Sequence, residues 1–168
     1  MIHLKAIGKI MGALLFLIGV LMLPAASISW IYQEDSSPIM ISAAISLFIG
    51  MALFFSFSKQ DEFVRKREGY LIVALSWVFM TGFGMLPFIL SKEITSVSDA
   101  LFETMSGLTT TGASILTDIE VMPKGLLFWR SMTQWIGGLG IIVLTVAIFP
   151  LLGIGGIELF VAESPGPT

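Results

Sequence analysis

The feature that most constrains this chain is where charge is missing. Four long stretches, 10–33, 36–58, 70–91 and 131–157, contain no Asp, Glu, Lys or Arg. A helix needs about 20 apolar residues to cross a hydrocarbon core of ~30 Å. Inside lipid every backbone N–H and C=O must find a partner within the protein, which favours helix over open strand. The stretches therefore predict spans near 10–32, 39–58, 70–91 and 125–152. Composition excludes the soluble alternative. Charged residues are 12% and hydrophobic residues 55% of the 168 residues, with a mean hydropathy of +0.93, whereas a soluble domain carries about 25% charge. The first stretch is too long for a signal peptide, shows no clear small-residue cleavage site, and is followed by more spans.

The basic residues orient these spans. Lys5 and Lys9 precede the first, and Lys59, Arg65, Lys66 and Arg67 lie between the second and third. Basic flanks stay in the cytoplasm, so both termini are expected there, with four crossings. The Arg65-Lys66-Arg67 run fixes this topology; contact with lipid headgroups or a regulatory subunit is the lesser alternative. The outer side then carries Glu34, Asp35, Glu93, Asp99, Glu103, Asp118 and Glu120. Such a face either concentrates cations mildly or is simply a set of solvated loops.

The segment Ser96–Leu116, SVSDALFETMSGLTTTGASIL, does not fit a plain helix count. It begins and ends on the outer side and is too short to cross and return as two helices, so a re-entrant segment is expected. Ser96 and Asp99 form an S-x-x-D capping box. The helix is expected from about 98 to 106, with Gly107 near its C-terminal end. The run Thr109-Thr110-Thr111-Gly112-Ala113-Ser114 follows. Threonine's β-branch favours extended backbone, which leaves carbonyls outside helical bonds. Gly112 allows angles closed to other residues and puts no side chain in the path. The helix C-terminus, with its partial negative charge, points at the same place. Carbonyls so exposed can replace an ion's hydration shell. A Thr/Gly string alone is equally an ordinary loop; the order span, capped short helix, Thr/Gly run, span is that of a cation-channel pore hairpin.

DALFETMSGLTTTGASIL, then FWRSMTQWIGGLGIIVLTVAIFP and the tail AESPGP, resemble the first pore repeat of the TrkH/KtrB potassium transporters. The resemblance implies an all-α membrane protein with four transmembrane helices, one re-entrant pore helix and a filter loop. It divides the chain into an N-terminal helix pair (1–58), a basic cytoplasmic loop (59–69), an M1–P–M2 pore repeat (70–152) and a cytoplasmic tail (153–168). Family members place four such repeats around one pore, form homodimers, work with a cytosolic nucleotide-binding regulatory subunit, and sit in the plasma membrane of bacteria and archaea. Gly112 matches the central filter glycine. The carbonyls of Thr110 and Thr111, with Thr109 next, match the ligands of a K⁺ ion that is cargo rather than cofactor. One repeat cannot surround an ion, so the sequence reads as an N-terminal part of a longer transporter that does not conduct alone.

Other residues carry mainly structural expectations. Arg130, beside Trp129, is expected to snorkel to the interface where tryptophan belts. The alternative is a structural salt bridge to the outer loops at Asp118 or Glu120. A direct role in ion passage is disfavoured, because fixed positive charge in the permeation path repels potassium. Glu103 needs a partner and is expected to take filter backbone hydrogen bonds or face the outer vestibule. Gly137, Gly138 and Gly140 are expected to pack against the pore helix or another span, with Gln134 reaching the re-entrant backbone. Gly82, Gly84 and Pro87 predict a close contact and a kink near the outer end of the third span. Gly8 and Gly12 form a GxxxG with one end in the flank, which carries no assignment. The competing function class is a non-conducting membrane scaffold with a structural Thr/Gly loop. An enzyme is disfavoured. There is no cysteine, the lone His3 is at the N-terminus, and no H-E-x-x-H or phosphate-binding loop occurs.

Overall fold

The computed structural model describes residues 4–57 and 66–151, with side chains placed over 5–57 and 69–140. The described chain folds into α1 (Leu4–Ile31), α2 (Ser37–Ser56), α3 (Lys66–Gly84), α4 (Leu86–Leu90), α5 (Val97–Leu108) and α6 (Lys124–Leu151). No strand occurs among the described residues. Segments 5–31, 37–56 and 69–90 are each long and apolar enough to cross a membrane. Helix α6 covers the fourth expected span. Its 28 residues reach about 42 Å at ~1.5 Å per residue. The third helix starts at Lys66, four residues inside the expected loop, and the AESPGP tail lies outside the described residues.

Helices α1 and α2 form a hairpin held by backbone proximity. A Cβ on Gly12 would stand 2.6 Å from the Phe54 nitrogen and 2.8 Å from the Gly50 carbonyl oxygen, and one on Gly50 would be 2.8 Å from the Gly12 oxygen. The two glycines let the helix axes approach closer than any side chain allows. The GxxxG left without assignment is therefore part of a packing surface: Gly8, too, sits against the Phe57 ring. Buried Ser42 and Ser46 return their hydroxyls to their own helix, at Pro38 O (2.7 Å) and Ser42 O (2.8 Å), so neither hydroxyl is left bare. At the start of α2, Asp35 accepts the Ser37 N–H at 2.9 Å. Hydrogen bonds from the Ser37 side chain and backbone hold the Asp35 carboxyl below the usual carboxylate range.

The expected kink in the third span is a complete break. Pro87 has no N–H to continue the ladder, and the Phe88 N–H turns to Met85 O at 3.1 Å. The Gly84 carbonyl is thereby freed from its helical partner, and the Trp129 indole N–H takes it at 2.8 Å. Trp129 is 1% exposed. It is a core residue of α6, not the interfacial belt residue expected from its place at the end of a span.

The N-terminal pair docks on α3, α4 and the start of α6. The Glu34 carboxylate accepts the Lys124 N–H (2.9 Å) and the Gly125 N–H (3.2 Å), two of the donors a helix leaves unpaired at its N-terminus. A Cβ on Gly125 would meet Ser29 and, at 2.8 Å, the Ala25 carbonyl of α1. The buried core then runs from Met22 and Ala25 of α1 through Phe88 and Ala100 to Leu126 and Trp129.

Candidate functional site

Helix α5 starts where the sequence predicts. Ser96 is the N-cap, and its hydroxyl accepts the Asp99 N–H at 3.4 Å. The helix runs two residues further than expected, to Leu108, so Gly107 lies inside it. What Gly107 provides is room: a Cβ there would collide with the Thr133 hydroxyl of α6. Gly137 does the same from the other side, since a Cβ on it would collide with the Leu108 carbonyl. The expectation that the α6 glycines pack against the short helix holds at Gly137.

The turn that ends α5 is built by Thr110 rather than by a glycine. Thr110 has φ +57°, and its N–H bonds to Gly107 O at 2.9 Å, while the Thr111 N–H bonds back to Ser106 O at 3.1 Å. This pair of bonds is the Schellman pattern, which normally places glycine at the left-handed position. A β-branched residue there is a true outlier, at a cost of about 1–2 kcal/mol. Gly112 is left-handed again, at φ +75°. Thr109, at φ −84°, precedes the first left-handed residue, and Thr111 separates the two. A backbone that changes hand in this way continues neither a helix nor a sheet. Among the described residues, no hydrogen bond reaches the carbonyl oxygens of Thr109, Thr110, Thr111 or Gly112. Residues 110–113 are exposed. The hydroxyls are partly engaged: Thr109 Oγ1 donates to Met105 O at 2.8 Å and lies 2.8 Å from Thr111 Oγ1. A Cβ on Gly112 would meet nothing within 4 Å, so glycine is required there by backbone angle and not by space.

Behind this strand lies a buried polar cluster. Glu103, on the inner face of α5, is 1% exposed. Its carboxylate accepts the Ser114 hydroxyl (3.1 and 3.0 Å) and the Ile115 N–H (3.0 Å), and it forms an ion pair with Arg130 Nε. Ser114 Oγ in turn accepts the Leu116 N–H at 3.1 Å, and Ser106 Oγ donates to Ala113 O. Of the hydrogen bonds expected from filter backbone to Glu103, one backbone bond is present, from Ile115 just beyond the Thr/Gly run, and Ser114 reaches it through its side chain. Arg130 is a correction. It neither snorkels nor pairs with Asp118 or Glu120; its side chain is 15% exposed and points inward to Glu103. The reason is local: Glu103 is buried, and either charge left alone in the interior would cost far more than the pair. A signal for this pairing is in the sequence, since Glu103 and Arg130 are opposite charges that both lie among apolar neighbours. The Trp129–Gly84 and Glu34–α6 contacts carry no such signal.

The arrangement is that of a membrane protein in which a short helix, placed between long apolar ones, presents unpaired backbone carbonyls at its C-terminal end. Comparison with known proteins makes the class specific. The model of the TrkH family, described as cation transport protein, matches residues 35–168. The potassium uptake protein TrkH of Escherichia coli K12 is 42% identical over 167 residues, 98% of this chain and 35% of that protein. The potassium uptake protein TrkG of the same strain is 36% identical, over 98% of this chain and 34% of its own length. The crystal structure of the potassium transporter TrkH from Vibrio parahaemolyticus superposes with a TM-score of 0.85 at 41% identity, covering 92% of this chain and 34% of that one. The chain belongs to the TrkH cation transport protein family, and it spans about a third of the length of the curated relatives it matches.

Proposed function

We propose that this chain forms one pore unit of a potassium uptake system. Helix α5 is its re-entrant pore helix, entering from the outer side between the α3–α4 span and α6. The carbonyls of Thr110 and Thr111, then those of Thr109 and Gly112, take the place of water around K⁺. The observation that carries this reading is the row of four successive carbonyls free of internal hydrogen bonds at the C-terminal end of α5. An isolated row of this kind is costly unless something else, water or a cation, accepts the role of partner. The negative end of the α5 dipole adds to its affinity for a cation. That relatives over nearly the whole chain are potassium uptake proteins supports K⁺ as the cargo.

A pore needs carbonyls on all sides of the ion, so three further units complete it. The 1–58 helix pair anchors the 70–152 pore unit, α6 is the fourth crossing, and the 59–69 loop and 153–168 tail face the cytoplasm together with the N-terminus. The complete transporter acts as a homodimer in the plasma membrane of a bacterium or archaeon, under a cytosolic nucleotide-binding regulatory subunit, and takes K⁺ as cargo with no tightly bound cofactor.

Gly112→Ser in the complete transporter tests the assignment. A Cβ has room there, so the protein folds, but the left-handed angle is disfavoured and a side chain enters the exposed side of the strand. K⁺ uptake is expected to fall, or K⁺ over Na⁺ discrimination to drop, by tenfold or more, for about 1.4 kcal/mol of lost coordination. Unchanged uptake and selectivity would mean that the Thr/Gly run is structural and the chain a scaffold.

A further inference from the structure

The backbone bearing the four unpaired carbonyls is fastened at both ends, with the Thr109 and Thr111 hydroxyls in contact between them. On one side the Schellman bonds of Thr110 and Thr111 tie the strand to α5. On the other, Ser106 Oγ holds Ala113 O, and the bonds of the next two residues converge on one buried side chain, Glu103. Its carboxylate holds Ser114 Oγ and the Ile115 N–H, and Ser114 Oγ holds the Leu116 N–H. All of these act on the backbone just after Gly112, whose angle a glycine leaves soft.

We propose that Glu103 is a positioning residue that determines ion discrimination: with Arg130 as its counter-charge, it sets the distance and direction of the carbonyls from Thr109 to Gly112 without touching the ion. The inference rests on the filter reading above. Two physical effects meet in this carboxylate. The first is geometric. Two hydrogen bonds from adjacent residues, Ser114 and Ile115, to one rigid group fix both the position and the rotation of the strand. The second is electrostatic. Arg130 lies behind the strand, and unpaired it would oppose a cation held in front. The ion pair cancels that charge where the dielectric is low and the effect large. A glutamine at 103 keeps the size and one acceptor oxygen but cannot serve Arg130, Ser114 and Ile115 together, and it leaves the guanidinium uncompensated.

The test is ion uptake by the complete transporter in cells lacking other potassium uptake, with protein amount in the membrane measured alongside. Glu103→Gln is expected to lower the K⁺ over Na⁺ uptake ratio at least fivefold per folded molecule. Ser114→Ala, which removes one of the two tethers, is expected to lower it about two- to threefold. Ser114→Thr, which keeps the hydroxyl, should stay within twofold of the parent. A merely structural carboxylate would reduce the amount of protein and leave the ratio alone, and that result overturns the proposal. If Glu103→Gln does not reach the membrane, the Ser114 pair decides: a shift in Ala but not Thr supports the role, and no shift in either refutes it. Gly112→Ser in the same assay separates the two readings. If it is silent, the filter assignment itself fails. If it is severe while Glu103 and Ser114 variants keep the parental ratio, only the positioning role fails.

Discussion

The α1–α2 hairpin and the α5–α6 unit are both close-packed helix pairs, yet they are held in opposite ways. Between α1 and α2 the contact is glycine on backbone, with Gly12 against Gly50 and Phe54, and the buried serines there bond only within their own helix. Between α5 and α6 glycines are again in contact, but around them stand a buried ion pair, a buried indole hydrogen bond and a chain of hydroxyls. A lipid-spanning hairpin has every backbone group paired within its helices, so shape complementarity is enough to hold it. The strand after α5 has surrendered its own pairing. Something behind it must then do the work that a helical ladder does elsewhere, and buried polar groups are the only ones with the directionality for it.

Equivalent insults in the two regions should therefore have different consequences. The largest effect is expected for Gly137→Ala, whose Cβ collides with the backbone carbonyl of Leu108, a neighbour with no freedom to rotate away. Overpacking of this kind costs about 3 kcal/mol, and it displaces the residue just before the Thr run. Thermal unfolding in detergent should show the loss, and the surviving protein should discriminate K⁺ from Na⁺ less well. Gly12→Ala places its Cβ 2.6 Å from the Phe54 nitrogen and is expected to cost about 2 kcal/mol by the same mechanism. Its surviving protein should keep the parental ion ratio; a changed ratio would break the distinction between the hairpin and the α5–α6 unit. Trp129→Phe is the mildest. It removes the bond to the Gly84 carbonyl while keeping most of the ring, for a cost of about 1 kcal/mol. A melting temperature equal to the parent's would show that this carbonyl finds another partner.

The elements were legible in the sequence because their signals are local. Charge-free length marks α1, α2, the α3–α4 span and α6, and the Ser96–Asp99 pair marks the first turn of α5. The end of α5 was harder. A glycine is the usual left-handed terminator, so Gly107 drew the prediction, while the position was taken by Thr110. The override has a tertiary cause: Gly107 is already committed to the contact with Thr133, and Leu108 to the contact with Gly137. The helix can turn only after those contacts are made, and the residue that falls there is a threonine.

By itself the sequence determined that this chain lives in a membrane as helices, since apolar length and the absence of charge leave lipid-exposed backbone no other way to be satisfied. It also determined that the helical ladder would fail at Pro87, where no N–H is present to continue it, and after α5 in the Thr/Gly run, although packing set the turn itself at Thr110. Only the tertiary structure decided who compensates for those failures. The carbonyl freed at Gly84 is met by Trp129, from 45 residues away. The strand after Gly112 is met by Glu103 and, through it, Arg130, 27 residues further along. Hydropathy and spacing describe each segment's own needs; the partner that meets a need across the fold is fixed only when the helices have packed.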